Sequence, residues 1–156
     1  MIVLAALSRD GVVGRDGALP WEVPEERQQS LAFLEGKTVL LGRRGFELLG
    51  SQLRNAHTLV LSSTGLAGVE PPPDTEVFAD FDSALVRGIQ LGKPMVCAGG
   101  ASLFEQAVPL ADKLYLSYVE GDFEGDAHFP TFDPADWREE RRRSHQRFEF
   151  VVLARR

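Results

Sequence analysis

Four short apolar runs, each breaking off into glycine, serine or arginine, constrain this chain more than any other feature. They are IVLAAL from Ile2 to Leu7, TVLLG from Thr38 to Gly42, HTLVLSS from His57 to Ser63 and PMVCAGG from Pro94 to Gly100. Consecutive apolar positions over so few residues read as strands buried on both faces. Helical stretches separate them. Pro24 opens one that reaches about Leu34 and is stopped by Gly36; Arg43 to Leu49 forms a second, closed by Gly50. Asp80 caps a third, in which Leu85, Val86 and Ile89 lead to Gly92, and Ser102 to Val108 forms a fourth. Buried strands alternating with helices require crossover connections, hence a mainly parallel sheet with helices on both faces. Val77-Phe78 adds a short strand and Lys113 to Val119 a longer one. Trp137 to Ser144 and Arg147 to Ala154 pair as antiparallel strands, with alternation clearest in FEFVVL. Thr64 to Asp74, with Pro71-Pro72-Pro73, reads as a loop.

No repeat or linker interrupts this series, so residues 1–156 read as one domain. A chain of 156 residues with 44% hydrophobic content can bury a substantial core. Its net charge of -6 argues against a general nucleic-acid surface, and the arginines between Arg138 and Arg147 read as the solvated face of a late strand. The single cysteine, Cys97, excludes an intrachain disulfide and sits in an apolar run, as a buried inert thiol would. Met1 to Leu7 is apolar but too short for a signal peptide and lacks a basic leader, and no apolar run reaches the length of a membrane span. The expectation is a cytoplasmic protein with neither membrane nor nucleic-acid partner.

Chemistry concentrates between Gly11 and Arg27, GVVGRDGALPWEVPEER. Gly11, Gly14 and Gly17 let the backbone turn and approach a ligand, Pro20 and Pro24 stiffen the path into the helix, and Trp21 supplies a flat apolar wall. Glu26, in the first helical turn beside that wall, can be held in place while partly desolvated, which suits proton-linked chemistry. The alternative is that Glu22, Glu25 and Glu26 merely complement the helix dipole. Three further features lie just beyond strand ends: Gly42-Arg43-Arg44, the hydroxyls of Ser62-Ser63-Thr64, and Ala98-Gly99-Gly100-Ala101. Taken singly they could be an ordinary helix start, a turn and tight helix–strand packing. Together, at the carboxyl ends of strands in an open α/β sheet, they suggest a dinucleotide. The dinucleotide fingerprint G-x-G-x-x-G and the P-loop are both absent. His57, His128 and His145 are scattered without metal-ligand spacing, and no serine sits in a nucleophile elbow.

The segments AALSRDGVVGRDGALPWEVPEE, GKTVLLGRRGFELLG, LVLSS, MVCAGGASLFEQ, KLYLSYV, EGDFEGDAHFP and DW, in that order and over almost the whole chain, resemble dihydrofolate reductase. The resemblance implies the family fold, a mostly parallel eight-stranded sheet with an antiparallel C-terminal strand and flanking helices. It implies NADPH-dependent reduction of dihydrofolate to tetrahydrofolate. Glu26 then matches the family's active-site carboxylate, which hydrogen-bonds the pterin and promotes protonation of N5. Trp21 would help hold an ordered water, and Ser117 stands where a threonine usually orients the carboxylate. Ala6, Val13 and Leu19 would line the nicotinamide and its covering loop, which Asp126 would steady. Arg43, Arg44, Ser62 and Ser63 would meet the adenosine phosphates, Arg43 and Ser63 nearest the 2′-phosphate. Gly99, Gly100, Ala101 and Ser102 would lie beneath the diphosphate. The substrate positions are Leu4, Ala5, Glu26, Arg27, Ser30, Leu31, Arg54, Ala98, Phe104 and Ser117.

Departures from the family pattern gather on the substrate side. Arg27 and Ser30 replace an apolar residue and a phenylalanine, so the helix face through 26, 27 and 30 is polar. Ala56 stands where the family has the arginine for the glutamate tail, with Arg54 and His57 nearby but out of register. Ala98 replaces a bulky aliphatic, Phe104 a tyrosine and Gly45 a threonine. Arg27, facing a shortened apolar pocket, suits a phosphate or carboxylate on a smaller substrate; its other reading is a solvent-facing helix residue. The same-fold alternative is reduction of another pterin or of a ribosylated pyrimidine in flavin synthesis. A non-catalytic NADPH sensor is the alternative from a different class, and retention of Glu26 and Trp21 argues against it. The expected protein is a monomer whose partners are NADPH and a small pterin or folate.

Overall fold

The computed structural model describes residues 1–66 and 70–156. Its main sheet contains eight strands: β1 (Ile2–Ser8), β3 (Thr38–Gly42), β4 (His57–Leu61), β5 (Thr75–Phe78), β6 (Met95–Cys97), β7 (Lys113–Val119), β9 (Trp137–Ser144) and β10 (Phe148–Arg155). They lie in the order β5-β4-β3-β6-β1-β7-β10-β9. All neighbours from β5 to β7 pair in parallel, and β10 runs antiparallel to both β7 and β9. A separate two-stranded sheet joins β2 (Val12–Gly14) to β8 (Ala127–His128). Among the described residues four α-helices, with three short 3-10 turns, complete the architecture: α1 (Pro24–Leu34), α2 (Arg43–Leu49), α3 (Phe81–Leu91) and α4 (Ala101–Ala107).

Both faces of β1, β3, β4 and β6 are covered, which is why these strands are apolar without alternation. Val3, Ala5 and Leu7 of β1 and Leu40 of β3 pack with Phe81 and Ala84 of α3 and Leu103, Phe104 and Ala107 of α4. Leu4 of β1 and Val39 and Leu41 of β3 pack instead with Leu34 of α1 and with Phe46 and Leu49 of α2. Each such leucine removed from water contributes roughly 1.5–3 kcal/mol. The third set, around Phe148, Phe150 and Val152 of β10, holds Trp21 and Val23 beneath the start of α1.

The helix boundaries follow local chemistry. Pro24 occupies the first turn of α1, and Gly36 takes φ 76° just after its end. Asp80 caps α3 by accepting from the Ser83 N–H at 2.8 Å, and Gly92 closes it at φ 71°. The apolar Val86 and Ile89 of α3 face outward, 55% and 67% exposed, because Phe81, Ala84 and Gly88 form its inner face. Strand β4 stops at Leu61, short of the expected Ser63: the Ser62 hydroxyl donates to the Gly65 carbonyl at 2.7 Å and turns the chain. Strand β6 likewise ends at Cys97, before Ala98. Within the expected loop from Thr64 to Asp74, residues 67–69 lie outside the described residues, and the remainder carries no helix or strand.

Cys97 is buried and unpaired, and burial pushes its thiol up to about 12, consistent with an inert neutral group. The arginines of β9 are exposed and interleaved with carboxylates, Arg138 with Glu140 and Arg142 with both Glu139 and Glu149. A charged edge of this kind discourages pairing with another sheet. Among the described residues, no helix is long and apolar enough to cross a membrane.

Candidate active site

A cleft of about 1360 Å³ opens at the carboxyl ends of β1, β3, β4 and β6, between α1 on one side and the starts of α2 and α4 on the other. This is where an open α/β sheet binds ligands. Glu26 lies at the floor of one half. It is only 5% exposed, and its Oε1 accepts a 2.7 Å hydrogen bond from the Ser30 hydroxyl one turn later on α1. Burial pushes the Glu26 carboxyl above the ordinary value of 4.5; the Ser30 hydroxyl, the Ser117 hydroxyl and the Arg27 charge pull the other way without cancelling it. Ser117 lies behind the carboxylate on β7, paired with Ala6 of β1 and Phe150 of β10. Its Oγ is fully buried and close enough to favour the Glu26 charge, yet outside good hydrogen-bond geometry with any described residue; Nε1 of Trp21 is likewise buried without a partner among the described residues. Two orphaned polar atoms beside a buried carboxylate mark this half of the cleft as built for a polar guest.

Trp21 stacks edge-on against Phe123 at 5.1 Å. The segment before it folds over the cleft as a tight turn: the Arg15 N–H donates to the Ala18 carbonyl at 2.7 Å and the Ala18 N–H returns to Arg15 at 3.0 Å. Asp126 anchors that turn by accepting from the Asp16 N–H at 3.3 Å, while its own N–H donates to the Gly14 carbonyl at 3.1 Å. Gly17, at φ 82°, lies under the Arg44 guanidinium, so closely that a Cβ there would come within 2.6 Å of it.

The other half of the cleft is cationic and hydroxyl-rich. Arg43 and Arg44 open α2 directly after β3, facing Ser62, Ser63 and Thr64 beyond β4. Arg43 is only loosely engaged, donating to Glu47 at 3.2 Å and Thr64 at 3.4 Å across solvent. Gly99 accepts from the Gly42 N–H at 2.6 Å, and a Cβ on Gly45 would lie 3.1 Å from the same carbonyl. Glycines thus bring the ends of β3 and β6 together as a bare backbone ledge beside two guanidinium groups, a fit for an anionic dinucleotide.

Most expected site residues line this one cleft: Leu4, Ala5, Ala6, Val13, Leu19, Trp21, Glu26, Arg27, Ser30, Leu31, Arg43, Arg44, Ser62, Ser63, Ala98, Gly99, Gly100, Ala101, Ser102 and Phe104. Ser117 supports the wall from behind. Arg54 does not line it and is exposed on the segment leading to β4. Leu48, Leu49 and Gln52 also line the cleft, unforeseen because helix-surface residues leave no motif. The C-terminal hairpin was also missed as a support of the site. Arg147 donates to the Glu22 carbonyl at 3.0 Å, and His145, stacked on Phe148 at 4.3 Å, meets Glu25 at 2.9 Å. The contacts to Glu22 and Glu25 join residues more than a hundred positions apart, which local pattern cannot reveal.

The family model for dihydrofolate reductase matches residues 1–154. A dihydrofolate reductase type 3 of Salmonella typhimurium is 33% identical over 160 residues, covering 98% of this chain and 96% of its own length. A dihydrofolate reductase of Haloferax volcanii is 32% identical over 163 residues, covering 99% and 82% respectively. Among solved structures, dihydrofolate reductase from Enterococcus faecalis complexed with NADP(H) and RAB-propyl superposes with a TM-score of 0.84 at 25% identity, covering 99% of this chain and 95% of that one.

Proposed function

The chain belongs to the dihydrofolate reductase family, and on that premise we propose how its cleft divides the work of reduction. The enzyme is an NADPH-dependent oxidoreductase that converts dihydrofolate to tetrahydrofolate. The reaction adds a hydride at C6 and a proton at N5 of the pterin. NADPH, when bound, supplies the hydride.

Everything else falls to the protein. Glu26 would bind the amino and ring N–H groups of the pterin, and its raised pKa keeps a proton available at a pH where an ordinary glutamate has lost it. Ser30 holds Oε1, leaving the second oxygen for the substrate. Trp21 and Ser117 offer the buried N–H and hydroxyl that an ordered water or the pterin would satisfy. Leu4, Ala5, Leu31, Ala98 and Phe104 would supply the apolar walls of the pterin pocket, and Ala6, Val13 and Leu19 the nicotinamide side and its cover. Arg43, Arg44, Ser62 and Ser63 would hold the adenosine phosphates, with Arg43 and Ser63 favouring a 2′-phosphate. The ledge of Gly99, Gly100, Ala101 and Ser102 would carry the diphosphate.

The observation that carries this reading is the buried Glu26 carboxylate, fixed by Ser30 at one end of a cleft whose other end is lined by arginines and hydroxyls. First and last strands sharing one sheet support a single domain, and the reading takes this domain as a monomer; the unpaired buried cysteine is compatible with the cytoplasm. Titrating NADPH and NADH in parallel tests the cofactor half. Binding of NADPH at least tenfold tighter, with the preference abolished in Arg43→Ala, is expected; equal affinity for the two would contradict the assignment of Arg43.

A further inference from the structure

We propose that Arg27 is the residue that reads the anionic tail of the substrate, so that the tail leaves the cleft along α1 instead of crossing toward β4. This rests on the reductase reading above. Three arginines line the cleft, Arg27, Arg43 and Arg44. Arg43 and Arg44 stand at the start of α2, on the ledge side with Ser62 and Ser63, whereas Arg27 stands on α1 immediately after Glu26. The lining contributed by the end of α2 and the residues just after it is Leu48, Leu49 and Gln52, without a charge. Arg54, the cation that sequence position would favour, is exposed and outside the lining.

The state of the Arg27 side chain fits a ligand at the cleft mouth. It is 43% exposed, and its ion-pair partner is Glu22 at 3.4 Å, itself 81% exposed. A pair so long and so wet is worth little and is readily exchanged for a better anion. Glu26, whose charge Arg27 also favours, is occupied by Ser30 through Oε1 and would face the pterin with its remaining oxygen. A pterin seated on Glu26 therefore places its substituent within the territory of Arg27, and a benzoylglutamate substituent ends in carboxylates that a guanidinium can grip with two hydrogen bonds. Glu22 competes for that guanidinium. Arg27 tunes specificity twice over, by attracting the tail and by being partly held back by Glu22.

The test compares dihydrofolate with dihydrobiopterin, which shares the reduced pterin but has no carboxylate, in wild type, Arg27→Met and Glu22→Gln. Arg27→Met should lower kcat/KM for dihydrofolate roughly 10- to 100-fold, mainly through KM, as loss of a charge-assisted contact does. Its effect on dihydrobiopterin should be several-fold smaller, because that substrate reports only the influence of Arg27 on Glu26. Glu22→Gln should lower KM for dihydrofolate a few-fold and leave that for dihydrobiopterin unchanged. Equal losses on both substrates, or no loss on dihydrofolate, would overturn the proposal, as would a tail-selective loss in Arg54→Ala. Failure of the wild type to oxidise NADPH with either pterin would overturn the reductase reading instead, and the inference with it.

Discussion

The Ser30 hydroxyl donates a 2.7 Å hydrogen bond to Oε1 of Glu26 from one turn further along α1. Donation to a carboxylate stabilises its charged form, so this bond holds the Glu26 pKa lower than burial alone would set it. In Ser30→Ala the carboxyl should keep its proton to higher pH. Steady-state rates measured across the pH range should show the alkaline decline of kcat moved upward, and Ser30→Thr should restore the wild-type profile. A profile unchanged in Ser30→Ala would mean that the bond has no part in setting the protonation of Glu26.

Glu26 also links pH to stability. Its folded pKa lies above the ordinary 4.5 because burial penalises the charge. The folded chain therefore binds this proton more tightly than the unfolded chain, and the resulting contribution favours folding at low pH and is lost as pH rises through the raised value. Glu26→Gln carries no charge at any pH. Its Tm should exceed that of the wild type at about pH 8, and the gap should close toward about pH 4. Calorimetry at the two pH values checks this, and a mutant less stable at the higher pH would refute it.

Gly99 takes φ 116°, and a Cβ there would stand 3.2 Å from the Phe104 ring. Gly99→Ala should cost about 1–3 kcal/mol from backbone strain. Displacing the ledge should also weaken NADPH binding. Urea unfolding and a fluorescence titration read the two effects; unchanged affinity would remove Gly99 from the cofactor site.

Asp126 ties the covering turn through the Asp16 N–H at 3.3 Å, an exposed contact at the cleft. Asp126→Ala should change stability by less than about 0.5 kcal/mol but lower turnover several-fold by loosening the cover. Stopped-flow dissociation of NADPH should be faster. A large loss of stability would instead make Asp126 a structural turn residue.

The sheet was legible because β1, β3, β4 and β6 are buried on both faces, which forces uninterrupted apolar runs into the sequence. The two strands β2 and β8 escaped notice, being only 3 and 2 residues long, too short for any periodicity. The extent of β4 was overread at Ser62 and Ser63 because strand and turn differ there only by the side-chain bond to Gly65. At the site, Glu26, Trp21 and the glycine ledge could be found from type and position, since proline, glycine and a first-turn acid each have local consequences. Ser30 was visible as a polar residue on a helix face, but its bond to Glu26 depends on rotamers. The grip of Arg147 and His145 on the start of α1 arises only when the last hairpin folds back on the first helix.

The most direct test of the central claim, that Glu26 is the proton-linked carboxylate of an NADPH-dependent dihydrofolate reductase, is the loss of NADPH absorbance with dihydrofolate in wild type and Glu26→Gln. The wild type should turn over with a rate that falls as pH rises. The mutant should bind NADPH with unchanged affinity and lose roughly 10²–10⁴ in kcat near neutral pH, the usual weight of a general acid. Wild-type turnover matched by the mutant at every pH would contradict the claim, and NADPH binding without wild-type turnover would make the chain a cofactor-binding protein and not a reductase.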